Sequence, residues 1–308
     1  MRRFLAPVLT LALGSLVSLT SLAAPASATS AAATVQVTGG RLNFNAAYGQ
    51  TDHVVLNVGS TAGSYRISDD AVGGVTAGAG CTSVSVSTVR CAGPISAASV
   101  WLVDGNDSFS YANPGVGAIP TEVDGGRGDD SLSGAVGSDY LNGGAGDDRL
   151  VGFGGGDTYR GGGGTDTVDY GPSAITLGKT SGVTVTTADG LANDGFAGDH
   201  DNVDSDVEFL WGTPFDDSLS VSAGNVIGGD GNDTLRIVNG GGGEYGVDGN
   251  DNLRAGPEPT LLSGGPGSDT LFSADVVADH DNCGMGSDTL TADAHDVYSN
   301  CETVHLTP

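Results

Sequence analysis

Aspartate recurs along this chain at intervals of nine and eighteen residues, each time between glycines and a short apolar run. From Gly125 five consecutive nonapeptides read GGRGDDSLS, GAVGSDYLN, GGAGDDRLV, GFGGGDTYR and GGGGTDTVD, ending at Asp169. Each has glycine first and fourth, aspartate sixth and an apolar residue eighth. The sixth positions are Asp130, Asp139, Asp148, Asp157 and Asp166; the eighth are Leu132, Leu141, Leu150, Tyr159 and Val168. A second block is intermittent. GGDGNDTLR, GVDGNDNLR and GGPGSDTLF place Asp233, Asp251 and Asp269 one every eighteen residues, and the units between them, IVNGGGGEY and AGPEPTLLS, lack the aspartate. Weaker single units are LVDGNDSFS with Asp107, GTPFDDSLS with Asp217 and CGMGSDTLT with Asp288.

A nine-residue period of this kind is the signature of a parallel β-helix or β-roll. Glycine allows the first six residues to turn tightly, and the last three form a short strand whose eighth side chain points to the core. Two nonapeptides make one coil with a turn at each edge, so a turn stacks on the turn eighteen residues later. Asp130, Asp148 and Asp166 then share one edge, and Asp139 and Asp157 the other. Carboxylates stacked about 5 Å apart repel by on the order of 3 kcal/mol at an effective dielectric near 20. A hard dication with oxygen ligands reverses that sign, and a shell of about six to eight oxygens at mixed geometry suits Ca²⁺ better than Mg²⁺. The chemistry expected of these residues is the binding of several calcium ions, not catalysis. In the second block one edge should be loaded with calcium and the other left bare.

Residues 125–169 resemble the hemolysin-type (RTX) calcium-binding repeats. The resemblance implies a β-roll in which the sixth-position aspartates and loop carbonyls ligate Ca²⁺. It also reaches DGLANDGFAGDHDNVDSDVEFLWG, GAGCTSVSVSTVRC and the closing DNCGMGSDTLTADAHDVYSNCETV, which are similar to segments of secreted actinobacterial proteins with such repeats.

Composition fits this reading. Glutamate occurs only at 122, 208, 244, 258 and 302, so the remaining acids among the 38 are aspartate. An acidic surface made for solubility would use glutamate freely, whereas short aspartate suits turns that hold a cation against backbone carbonyls. A formal charge of −27 repels nucleic acid and anionic membranes. At the N-terminus, Arg2 and Arg3 precede an apolar stretch from Phe4 to Leu22 and an A-x-A site, Ala26-Ser27-Ala28. This is a signal-peptide pattern, with cleavage expected after Ala28 or, failing that, in the run Ala31–Ala33. No later segment approaches the roughly 20 apolar residues needed to span a bilayer, so a secreted, extracellular protein is expected. Four cysteines in an exported chain read as two disulfides, assigned as Cys81–Cys91 and Cys283–Cys301 because each pair brackets a local segment.

The expected order is a signal peptide at 1–28, a β cap at 29–101, a first roll block at 102–169, an acidic insertion at 170–210 and a second block with a disulfide-closed end at 211–308. The fold class is all-β: a parallel β-roll solenoid with a small N-terminal β-sandwich-like cap. Alternation predicts strands at Thr34–Thr38, Val54–Val58, Val84–Ser87 and Val183–Thr186. A strand from Ser99 to Val103 should lead into the repeats. Arg127-Gly128-Asp129 is explained by the repeat itself, and the two DHDN stretches at 199–202 and 279–282 read as acidic loops. Neither HExxH nor GxSxG occurs. A calcium-dependent structural or binding protein is therefore the expectation. A calcium-dependent adhesin or carbohydrate-binding module, partnered by cell-surface or matrix glycans, is the alternative, and an extracellular hydrolase the third.

Overall fold

A computed structural model describes residues 32–59, 63–187 and 189–308; the signal segment expected at 1–28 lies outside them. The described chain is almost entirely β, with one short helix, Gly171–Leu177. Its strands form three sheets of eight, fourteen and seven strands. The repeat period explains their layout. Each nonapeptide ends in a short strand pairing in parallel with the strand eighteen residues away: Leu132 lies beside Leu150, Leu150 beside Val168, and Leu141 beside Tyr159. In the second block Leu219, Leu235, Leu253, Leu271 and Leu290 run in one register column. All of these eighth-position side chains are buried, and they belong to one hydrophobic core extending through both blocks.

The fourteen-stranded sheet runs the length of the molecule and is shared by both blocks. In the first block it faces the eight-stranded sheet, and in the second the chain alternates between it and the seven-stranded sheet. Residues 170–210, expected to interrupt the solenoid, supply one strand to each sheet. Asn202–Val203 closes the first sheet, Phe209–Trp211 continues the long one, and Thr184–Thr186 opens the third. Tyr170 packs on Tyr159 and Phe196 at this splice, with ring centroids 6.0 and 6.1 Å away.

The N-terminal strands join the same sheets. Arg41–Asn45 pairs in parallel with Ala97–Trp101, and His53–Val58 with Ser108–Tyr111. Beyond them the pairing turns antiparallel, through Ala33–Thr38 in one sheet and Ser64–Ser68 and Thr88–Ala92 in the other. The run Val84–Ser87 is not one strand. Strand Cys81–Ser85 ends there in a tight turn to Thr88–Ala92, and the Cys81–Cys91 disulfide joins directly opposed residues of that hairpin. Cys283–Cys301 ties the last coil to the one before it.

Candidate metal centre

Turns meet the long sheet at two edges. Those at the leading edge enter its strands and those at the trailing edge leave them. Asp107, Asp130, Asp148 and Asp166 stand on the leading edge. Asp139 and Asp157 stand on the trailing edge, as do Asp217, Asp233, Asp251, Asp269 and Asp288 in the second block. All eleven are buried, none more than 3% exposed. They are linked into ladders. The Asp107 N–H donates to Asp130 Oδ1 at 2.7 Å, that of Asp130 to Asp148 at 2.8 Å, and that of Asp148 to Asp166 at 2.9 Å. The Asp139 N–H donates to Asp157 Oδ1, and the same link runs from Asp217 through Asp233, Asp251 and Asp269 to Asp288 at 2.8–2.9 Å. One carboxylate oxygen of each aspartate is thereby committed to holding the preceding coil, by a charge-assisted bond.

The second oxygen decides the chemistry. In Asp107, Asp130, Asp148, Asp157, Asp166, Asp233, Asp251, Asp269 and Asp288, Oδ2 is buried with no partner. A bare buried carboxylate oxygen is costly and calls for a cation or a proton. In Asp139 and Asp217, Oδ2 instead accepts the N–H of Ala135 at 2.8 Å and of Thr213 at 2.6 Å. The difference lies at the second position of the nonapeptide. In each of these nine turns that residue is left-handed: Gly126, Gly144, Gly162, Gly229, Gly265 and Gly284, but also Val103, Phe153 and Val247 at φ 78, 78 and 86. Ala135 and Thr213 are not, and their N–H groups close onto the carboxylate.

The glycines shape the surroundings of that oxygen. A Cβ on Gly125, Gly143 or Gly228, each first in its unit, would collide with Oδ2 of the aspartate five residues on. A Cβ on Gly144 or Gly146 would strike the carbonyl of Gly126 or Gly128, one coil earlier. The turns thus stack carbonyls in rows beside the carboxylates. Among the described residues no three His, Cys, Asp or Glu side chains converge to hold a metal, so a cation here must take carbonyl oxygens into its shell. Orphaned carboxylate oxygens beside stacked carbonyls are a donor set that fits calcium.

Electrostatics agree. Burial first, with neighbouring turn carboxylates adding to it, pushes Asp130 and Asp233 up to about 7 and Asp157 to about 9. Burial likewise raises Asp107, Asp166 and Asp269 to about 6. Without a cation Asp130, Asp157 and Asp233 retain protons near neutrality.

Four copies of the RTX calcium-binding nonapeptide repeat match this chain, at residues 122–150, 133–168, 211–236 and 245–275. Over those residues the chain carries RTX calcium-binding nonapeptide repeats. No curated protein matches it. The RTX matches cover the regular turns and leave out several residues that the ladders recruit. Asp201 accepts the Asp157 N–H at 2.8 Å and is 2% exposed, so this aspartate of the first DHDN stretch is a buried ladder member and not part of a solvated loop. Asp279, in the second, is fully buried; its Oδ1 accepts the Thr260 N–H and its own N–H donates to Asp296. The leading edge of the second block, expected to be bare, regains an aspartate there. Glu208 and Glu302 end ladders by accepting the N–H of Asp166 and Asp288. Glu244, at an inward eighth position, accepts the N–H groups of Ile237 and Arg254 at 2.7 and 2.6 Å, and burial raises it to about 9. The available signal was an acid at a position otherwise filled by Leu, Val, Tyr or Phe.

Proposed function

We propose that this chain is a secreted, calcium-stabilised structural or binding protein and not an enzyme, its roll assembled by ions held between stacked turns. The observation that carries this reading is the row of buried, unpartnered Oδ2 atoms beside stacked backbone carbonyls. The ligands proposed are the turn aspartates whose Oδ2 is free, with Asp148 and Asp251 each serving the ions on both sides. Asp139 and Asp217 act as turn caps, because backbone N–H groups already occupy both of their oxygens. Extracellular modules bind calcium with dissociation constants of about 10⁻⁴–10⁻³ M. A chain of charge −27 would then stay open at low calcium and close outside the cell. The signal-peptide pattern at 1–28 supports export, and a rigid roll suits the cell envelope or extracellular matrix. Calcium titration followed by circular dichroism, with calorimetry for the number of ions, tests the reading. A strand signal indifferent to calcium would refute it.

A further inference from the structure

The leading-edge ladder does not begin in a recognised repeat. The Asp52 N–H donates to Asp107 Oδ1 at 2.7 Å, the bond each later aspartate makes to the next coil. The nine residues from Ala47 to Val55 read AYGQTDHVV. They hold aspartate sixth and Val54 eighth, and Val54 is buried in register with Phe109. A Cβ on Gly105 would strike the Gln50 carbonyl, just as one on Gly128 would strike that of Gly105. Residues 47–55 are thus a further turn of the roll, unrecognisable because glycine is missing from its first and fourth positions.

This turn has no coil before it. Its place is taken by the strand Ser64–Ser68, antiparallel to His53–Val58, which delivers Asp69 beside Asp52. Asp52 is 0% and Asp69 1% exposed. Asp69 Oδ1 accepts the N–H of Ala71 at 3.0 Å and of His53 at 3.3 Å. Its Oδ2 has no partner, and neither oxygen of Asp52 has one. The His53 ring is turned to Asp70, at 2.9 Å. Three buried carboxylate oxygens from two neighbouring side chains are left without a donor, which an anion pair in this setting does not tolerate.

We propose that Asp52 and Asp69 form a calcium site at the N-terminal end of the leading edge, in which a carboxylate from the capping hairpin replaces the missing coil. It rests on the reading that the nonapeptide turns bind calcium. Two carboxylates supply the charge, and carbonyl or water oxygens complete the shell, as in the turns. Calcium then fastens the cap to the roll.

The test uses the whole chain. Crystals grown in calcium should show an anomalous peak between Asp52 and Asp69 as well as peaks in the nonapeptide turns. In solution, Asp69→Asn should bind one calcium equivalent fewer by equilibrium dialysis. It should also lose the calcium-dependent amide protection of 53–58 and 64–68 while keeping that of 125–169. Peaks in the turns with none at Asp52, or an unchanged calcium count in Asp69→Asn, would overturn this site alone. Absence of every peak would overturn the calcium reading itself. Should Asp69→Asn fail to fold, the wild-type anomalous map decides.

Discussion

Replacing Asp148 by Asn and Asp139 by Asn should give opposite signatures, although both residues hold the sixth position of a nonapeptide. At Asp148 the amide oxygen can keep the 2.8 Å bond from the Asp130 N–H, so little is lost without calcium. What disappears is the charge and the free Oδ2, which serve the ions toward Asp130 and toward Asp166. Each bound ion adds about 1.4 kcal/mol to the folded state per tenfold rise in free calcium once its site is saturated. The slope of unfolding free energy against log calcium should therefore fall by about 1.4 kcal/mol per decade if one ion is lost, and by about 2.8 if both are. At Asp139 both oxygens accept backbone N–H groups, from Thr121 at 2.7 Å and Ala135 at 2.8 Å. An amide nitrogen must then face one of those donors, at a cost of about 1–3 kcal/mol at every calcium concentration, with the slope unchanged. Urea unfolding followed by circular dichroism at several free calcium concentrations measures both quantities. An unchanged slope for Asp148→Asn, or an equal drop for both variants, would refute the reasoning.

Chelation at neutral pH should collapse the strand signal, because at 1 mM calcium a site with a dissociation constant of about 10⁻⁴ M adds about 1.4 kcal/mol, and several such sites together rival the whole stability of a domain; an EDTA-treated sample melting at the same temperature would contradict this. Calcium affinity should rise with pH between about 5 and 8. Burial lifts Asp130 and Asp233 to about 7, so the metal-free folded state holds protons that the unfolded chain releases near 4. Metal-free stability accordingly falls as pH rises from about 4 to about 7, while calcium displaces the same protons. Calorimetry at pH 6.5 in buffers of different ionisation heat should register proton release on binding. Glu244→Leu should cost about 2–6 kcal/mol by stranding the N–H groups of Ile237 and Arg254, with no change in calcium count by dialysis. Replacing Cys283 and Cys301 by Ser should fray the last coil, seen as faster amide exchange in 289–306, with 125–169 unaffected.

The nine-residue period was sufficient to specify the roll, the inward eighth positions and which regular aspartates share an edge within each block. Glycine, aspartate and an apolar residue are each demanded there by local geometry, and local geometry repeats in the sequence. Both disulfides were legible for a similar reason, since each closes a short segment. Three things were decided only by the tertiary structure. Asp52, Asp201 and Asp279 entered the ladders through turns whose length or glycines depart from the pattern, because a ladder needs only an N–H and a carboxylate at the right height on the neighbouring coil. Residues 170–210, without a repeat of their own, became the splice between two facing sheets, since the edge strands on either side require partners wherever the chain can supply them. The division of the sixth-position aspartates into free and capped oxygens was also hidden. It turns on the backbone angle at the second position, where Val103, Phe153 and Val247 are left-handed and Ala135 and Thr213 are not.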